Sequence, residues 1–130
     1  MTPSLLHDLL GPVHMHFLAA RAAYRGYLEN GRSFLFARSL RRVNVSARTL
    51  LMSRGHLLPR PLQEDAAALV AHYDVWLTLW DSHRKALKPD LSDPFVFENS
   101  FTYPKESEAR IEALFAELSG VQEGLNSRAS

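Results

Sequence analysis

The chain has 130 residues, no cysteine, 46% hydrophobic residues and a formal net charge of +1. This length suits one domain that buries a core without a metal or disulfide staple. The lack of cysteine excludes disulfide frameworks, zinc fingers and thiol chemistry. The small net charge hides a division, because residues 1–60 hold nine Arg and two acids, whereas residues 61–130 hold twelve acids and six bases.

The beginning of the chain is apolar but repeatedly interrupted. His7, Asp8, His14 and His16 divide the stretch at residues 5–20, which argues against a signal peptide or a membrane span. We therefore expect a cytoplasmic protein. A glycine and a proline at positions 11 and 12 should also break or kink any helix that begins before them, so residues 1–13 are expected to be irregular or frayed.

Helix-start and helix-stop residues divide the chain into four predicted helices. Gly31, Gly55 and Pro89 each follow a stretch compatible with helix and are suited to ending it. Two further glycines, at positions 120 and 124, predict that residues 121–130 fray. The four predicted helices cover about residues 14–30, 33–54, 60–87 and 104–118.

The third predicted helix carries the clearest hydrophobic period in the chain. Between Leu62 and Leu87 the apolar residues recur on one face of a 3.6-residue helix. We therefore predict an all-α, single-domain four-helix bundle over residues 1–130, with the third helix central. The predicted core residues are Tyr73, Trp76, Leu77, Trp80, Leu40, Val43, Leu114 and Phe115.

One side of the second predicted helix mixes cations with apolar side chains. At 100° per residue, four arginines and three apolar residues fall opposite its core face. Such a mixture is typical of a binding surface. The alternative is that the arginines are solvated or pair with acids of the second half inside the fold. We call this set the basic face: Arg38, Arg41, Arg42, Arg48, Phe34, Val45 and Met52.

Residues 94–103, here called the aromatic segment, connect the third and fourth predicted helices. Aromatic residues alternate on each side of the polar residues 98–100, a pattern that predicts a short hairpin or loop. An isolated hairpin is marginal, so we expect the rings to lie on the helices as a lid. Rings that point outward would instead form a contact patch for a partner or stacking platforms for bases. The rings concerned are Phe95, Phe97, Phe101 and Tyr103.

The histidines do not match a metal or catalytic motif. His14 and His16 are two residues apart, so on a helix they point to opposite sides. His72 and His83 share a side of the third helix but are separated by about 16 Å along its axis, too far to bind one ion.

Other candidate chemistry is equally sparse. The six glycines are scattered and form no phosphate-binding loop. Asp74 and Asp81, seven residues apart, could share a helix side, but paired carboxylates without a second base are expected to be ordinary solvated groups. We therefore predict no metal, no small-molecule cofactor and no enzymatic activity.

The predicted function is a non-enzymatic cytoplasmic interaction module that binds a protein partner, or a second copy of itself, through the basic face. Twelve Arg against three Lys favours a GC-rich bacterial source, where such a module would be accessory to a regulatory or defence system. Two alternatives stay open. One is a nucleic-acid-binding subunit of a larger bacterial complex, whose affinity would fall steeply with salt. The other is a small enzyme that uses His72 or His83 in a pocket.

Overall fold

The bundle consists of four helices within residues 4–129, which are the residues that the computed structural model describes; from residue 122 onward it describes no side chains. The predicted all-α four-helix fold is confirmed. Residues 1–3 and 130, which belong to segments expected to fray, lie outside the described residues. The helices are α1, Gly11–Glu29; α2, Phe34–Arg54; α3, Arg60–Leu87; and α4, Lys105–Ala129.

Local signals place the ends of α3 where the sequence predicts them. Pro61 occupies the first turn, where its missing N–H breaks no helical hydrogen bond. At the other end Lys88 adopts a left-handed conformation with φ of 49°, and its amide donates to the carbonyl oxygen of Arg84 over 2.9 Å. The chain then turns away before Pro89.

The beginning of α2 is stabilised by a distant part of the chain. Ser33 is the N-cap residue of α2, but its side chain makes no capping hydrogen bond. The amides of Phe34 and Leu35 donate instead to the carbonyl oxygens of Asp93 and Leu91, over 2.8 and 3.0 Å. The segment after α3 therefore satisfies amide groups that the first turn of a helix leaves without internal partners.

The start of the chain is helical rather than irregular over the residues described. A π-helical segment, Leu6–Leu10, leads directly into α1, and the Gly11 amide donates to the carbonyl oxygen of Leu6. The wider turn carries the chain past Pro12, which has no amide hydrogen to donate. Packing holds this part of the chain in place, because three apolar side chains of the π-helical segment and the first turn of α1 are fully buried: Leu9, Leu10 and Val13.

The last helix is also longer than predicted. Its backbone continues from Leu118 to Ala129, past two glycines that were expected to make this end fray. A glycine inside a helix costs only about 1 kcal/mol relative to alanine, which is too little to end a helix by itself. None of the described helices is long and apolar enough to cross a membrane.

Sequential helices pack against each other around two groups of buried side chains. α1 contacts α2, α2 contacts α3, and α3 contacts α4. An ion pair and a hydrogen bond join α1 to α4: the Arg21 guanidinium lies 3.0 Å from the Glu108 carboxylate, and His14 Nδ1 lies 2.8 Å from Glu112 Oε2. The larger core includes Phe17, Leu51, Leu69, Tyr73 and Ile111; the smaller one is aromatic and includes Phe34, Trp80 and Phe95.

The aromatic segment forms a loop and not a hairpin. Within residues 4–129 the pairing of extended chain is limited to one isolated bridge, between Ser33 and Pro94. The segment runs in one direction back along α3, with Phe95 against Trp80 and Phe97 against Trp76, at ring-centroid distances of 5.0 and 5.9 Å. Phe95 and Phe97 thus reach successive turns of α3, and this keeps the chain extended where a hairpin would have reversed it. Phe101, which was expected to lie on the helices with the other rings, is 61% exposed.

α4 therefore begins beside the N-terminal part of α3. The carboxylate of Asp65 accepts hydrogen bonds from Ser107 and from the guanidinium of Arg110, at 2.7–3.0 Å. Hydrogen bonds from Arg110 outweigh the effect of burial and hold the pKa of Asp65 below its ordinary value. This network fixes where α4 starts and leaves the C-terminal half of α3 to the aromatic segment.

Candidate functional site

Phe34 does not belong to the outward surface to which the sequence analysis assigned it. It is only 5% exposed, and its ring lies 5.7 Å from that of Trp80 and 5.2 Å from that of Phe95. As the first residue of α2, it is covered by the aromatic segment and by the end of α3. Phe34 is thus part of the aromatic core and is not available for contact with a partner.

Two arginines of the basic face bind α2 to α3. Arg41 donates from Nε and Nη2 to both carboxylate oxygens of Asp81, over 2.9 and 3.2 Å, and Arg48 pairs with Asp74. The two arginines and the two aspartates are each seven residues apart, which matches antiparallel neighbouring helices. For these two residues the structure shows the alternative in which the arginines pair inside the fold. Exposed pairs of this kind contribute about 0–1 kcal/mol each.

The remaining four residues of the basic face lie on an outward stripe of α2. Arg38 and Val45 are half-buried, Arg42 is exposed, and Met52 is 61% exposed. Neither Arg38 nor Arg42 forms an ion pair with any residue that the structure describes. With two further residues the stripe has alternating spacings of three and four, as on one side of a coiled coil. We call it the outward seam: Leu35, Arg38, Arg42, Val45, Thr49 and Met52.

A cavity of about 790 Å³, half-open to solvent, lies on the other side of α2 and is lined by residues of α1, α2, α3, the aromatic segment and the start of α4. Its origin is geometric. A helix with side chains fills a cylinder about 10 Å across, whereas an extended chain directs its side chains only to two opposite faces. Because the aromatic segment takes the fourth position beside the C-terminal half of α3, space remains between this segment and α1. Its aromatic lining includes Tyr24, Tyr27, Trp76, Trp80, Phe97 and Tyr103.

Burial changes the acid–base behaviour of side chains in this wall. It lowers the pKa of His72, which lines the cavity with the ring of Tyr103 5.1 Å away. Burial also raises the pKa of Tyr27, Tyr73 and Tyr103. The wall is therefore neutral over its aromatic part, and its charges come from a few residues at its edge.

Those charged residues are mostly cationic. Arg21, Arg32, Lys105 and Glu108 line the cavity. Glu108 is already engaged, because its carboxylate pairs with Arg21 and accepts a hydrogen bond of 2.8 Å from the Tyr103 hydroxyl. Neither Arg32 nor Lys105 has an ion-pair partner among residues 4–121. The lining therefore carries an excess of positive charge.

Trp80 contributes an unused hydrogen-bond donor. The residue is 2% exposed, and its indole N–H has no hydrogen-bond partner within the described part of the chain. The guanidinium of Arg41 lies over its ring, 5.2 Å from the centroid. Buried donors are normally paired, because leaving one unpaired costs about 1–3 kcal/mol.

Three other histidines contact neighbouring side chains, and the described residues contain no group of three potential metal-binding side chains. His14 stacks on Phe115 at 4.2 Å, and His16 contacts the Ser46 hydroxyl at 2.7 Å. His83 packs against Phe95 at 4.8 Å. Only His72 of the pair considered for catalysis is among the cavity-lining residues, and the small-enzyme alternative stays a prediction.

The cavity was not anticipated from the sequence. The sequence predicts core positions for the aromatic residues of α3 and a lid for those of the aromatic segment, because periodicity does not distinguish a ring that packs on protein from one that faces a cavity. One signal was present: tyrosine and tryptophan, which combine an apolar body with a polar group, are concentrated at residues 73–103. Comparison of the chain with protein-family models, with curated proteins and with solved structures found no match.

Proposed function

We propose that this protein is a helical interaction module that binds an acidic amphipathic helix of a partner protein through the outward seam of α2. The observation that carries the proposal is the pattern of exposure on the seam. Leu35 and Met52, 49% and 61% exposed, flank two arginines without ion pairs in the described structure. Apolar contact and charge are thus available together on one outward helix face.

The arginines of the outward seam differ from the other arginines of the basic face in that they have no ion-pair partner within the described structure. Arg41 and Arg48 have Asp81 and Asp74 as partners, so a partner protein would have to compete with an existing ion pair. Arg38 and Arg42 are free of that competition. An acidic partner would be steered by these two charges and held by contact with the apolar residues of the seam.

Charge also favours a different protein over a second copy of this chain. If two seams paired in antiparallel orientation, Leu35 would face Met52 of the other copy, and Arg42 would face Val45. Four arginines would then lie in one interface with no acid from either seam to offset them, and such like-charge contacts are unfavourable. A helix with Glu or Asp near the positions of Arg38 and Arg42 avoids this cost.

The test is capture of partners from the native cell by the tagged protein, after nuclease treatment, followed by measurement of Kd with the purified partner. The variant Arg38→Glu/Arg42→Glu should bind the partner at least about tenfold more weakly, which corresponds to about 1.4 kcal/mol. The matched control is Arg25→Glu/Arg60→Glu, which makes the same change of charge at two exposed positions outside the seam.

Equal retention of the partner by the seam variant would overturn the proposal, as would an equal loss in the control. Loss of the captured material on nuclease treatment would support the nucleic-acid alternative instead. The affinity of the protein for nucleic acid should then fall steeply with salt concentration. Circular dichroism of both variants should match that of the wild type, because neither substitution removes an ion pair within the described structure.

A further inference from the structure

The aromatic cavity is a half-open pocket with a volume of about 790 Å³. Pockets that bind small molecules have volumes of roughly 300–1,000 Å³ and combine mostly apolar walls with a few polar groups. Both the size and the lining of this cavity fall in that class.

The walls favour a planar ligand. Trp76 and Trp80 line the cavity from α3, Tyr24 and Tyr27 line it from α1, and Phe97 lines it from the aromatic segment. Aromatic faces on several sides of one cavity offer stacked and edge-on contacts to a flat ring system. A flexible aliphatic chain would gain contact area but none of this geometry.

The charges favour an anion. Three of the charged residues that line the cavity are cations, and its acid, Glu108, is already paired with Arg21. Arg32 and Lys105, which lack ion-pair partners in the described structure, supply the excess charge. A positively charged lining with a low-dielectric wall concentrates small anions. The size, ring content and charge of the cavity point to one ligand class.

We propose that this cavity binds a small planar aromatic molecule that carries an anionic group, with Arg32 and Lys105 attracting the anion and the rings of α1 and α3 contacting its planar body. The inference is independent of the proposed partner-binding function. Ala37, Leu40 and Asn44 line the cavity from one side of α2, whereas the outward seam lies on the opposite side of that helix.

The experiment compares two dyes with the same ring system. Anilinonaphthalene sulfonate is an aromatic anion, and phenylnaphthylamine is its uncharged counterpart. The chain contains two tryptophans, and both line the cavity, so quenching of tryptophan fluorescence reports binding directly. We expect saturable binding of one sulfonate per chain with native circular dichroism throughout, and at least about tenfold weaker binding of the neutral dye.

Two pairs of variants locate the site and its charge. Ala20→Phe fills the cavity and should weaken binding of the sulfonate dye at least about tenfold, whereas Ala19→Phe adds the same ring at an exposed neighbouring position and should leave binding unchanged.

Arg32→Gln/Lys105→Gln should abolish the preference for the anion. Its matched control, Arg25→Gln/Lys85→Gln, removes two exposed charges that do not line the cavity and should retain the preference.

Each contrary result overturns a stated part of the inference. Absence of saturable binding of both dyes would exclude a ligand cavity, and wild-type binding by Ala20→Phe would exclude this location. Equal affinities for the two dyes would exclude the anionic class. If Ala20→Phe does not fold, the charge variants still decide, because an unchanged anion preference in Arg32→Gln/Lys105→Gln contradicts the proposal.

Discussion

At the scale of single residues, the neighbours of a side chain determine its role more than its type does. Arg41 and Arg42 are adjacent in the sequence, yet Arg41 is held by Asp81 and Arg42 is exposed without an ion pair in the described structure. A difference of 100° around the helix axis separates a structural cation from one available for binding. The same reasoning explains Phe34, which became a core residue because the aromatic segment covers it.

His72 provides a prediction at this scale. Burial lowers the pKa of His72 in the folded chain. As the pH falls through the ordinary pKa of histidine, about 6.5, the unfolded chain therefore binds more protons than the folded chain does. The free energy of unfolding should therefore decrease from about pH 7.5 to about pH 5.5. In His72→Gln this part of the decrease should be absent, as measured by urea denaturation at both values of pH.

The exposed residue His56 offers the matched control for removing one histidine. For each protein the measured quantity is the difference between the free energies of unfolding at about pH 7.5 and about pH 5.5. In His56→Gln this difference should be closer to the wild-type value than it is in His72→Gln. If wild type and His72→Gln lose equal stability over this range, the buried environment of His72 does not oppose its protonation, contrary to the structure.

At the scale of elements, close packing between helices overrides intrinsic helix preferences. Gly26 lies in α1 where the ring of Phe36 from α2 rests on its backbone, and a Cβ added there would lie 2.4 Å from Phe36 Cε1. Such a distance is far below van der Waals contact. Glycine lets α1 and α2 approach closely at this point. The packing between the two helices offsets the lower helix propensity of glycine.

Gly26→Ala should therefore destabilise the protein by about 1–3 kcal/mol, although alanine is the better helix former. Gly120→Ala is the matched control, because nothing lies within 4 Å of a Cβ added at that position of α4. It should stabilise the protein slightly, by up to about 1 kcal/mol. Chemical denaturation of both variants measures these effects.

A second substitution tests the cause of the Gly26 effect. Adding Phe36→Leu to Gly26→Ala should remove the clash, so the double variant should be more stable than the sum of the two single losses predicts. Strict additivity would show that the Phe36 ring moves aside without cost and that the close approach does not depend on glycine.

At the scale of the whole molecule, the two ends of the bundle are built differently. At one end α1, α2, α3 and α4 surround the larger core, and the π-helical segment before α1 contacts α4. At the other end α1, α2 and α3 are completed by an extended segment, which leaves the aromatic cavity. Stability should therefore be uneven along the long axis of α3.

Amide hydrogen exchange should reveal this difference. In the described structure, backbone hydrogen bonds of the aromatic segment are few; one is the Phe95 amide to the carbonyl oxygen of Arg32, at 2.8 Å. Amides of residues 96–100 should exchange through local opening, at least about tenfold faster than those in the middle of α3. Exchange followed by mass spectrometry at several denaturant concentrations separates local from global opening.

Tyr27 allows a test of this local opening of the aromatic segment, because its hydroxyl donates to the carbonyl oxygen of Phe95. Tyr27→Phe keeps the ring and removes this hydrogen bond, so exchange in residues 96–100 should become faster while exchange in α3 stays unchanged. Equal protection of the aromatic segment and α3 in the wild type would show that the molecule opens only as a unit.

The sequence by itself determined the helical fold and most helix boundaries. Proline, glycine and the 3.6-residue period act over a few neighbouring residues, so Arg60–Leu87 could be predicted without knowing what surrounds it. Part of the candidate site could be predicted in the same way, because the side of α2 on which Arg38, Arg42 and Met52 lie follows from the helix period alone.

Only the tertiary structure decided which of those residues remain available and where the cavity lies. Arg41 meets Asp81 across forty positions of sequence, and the Tyr27 hydroxyl meets the backbone of Phe95 across sixty-eight. Such contacts depend on how separate elements pack. The cavity arises for the same reason, because the starting point of α4, fixed by Asp65 and Arg110, determines that an extended chain and not a helix lies beside the aromatic half of α3.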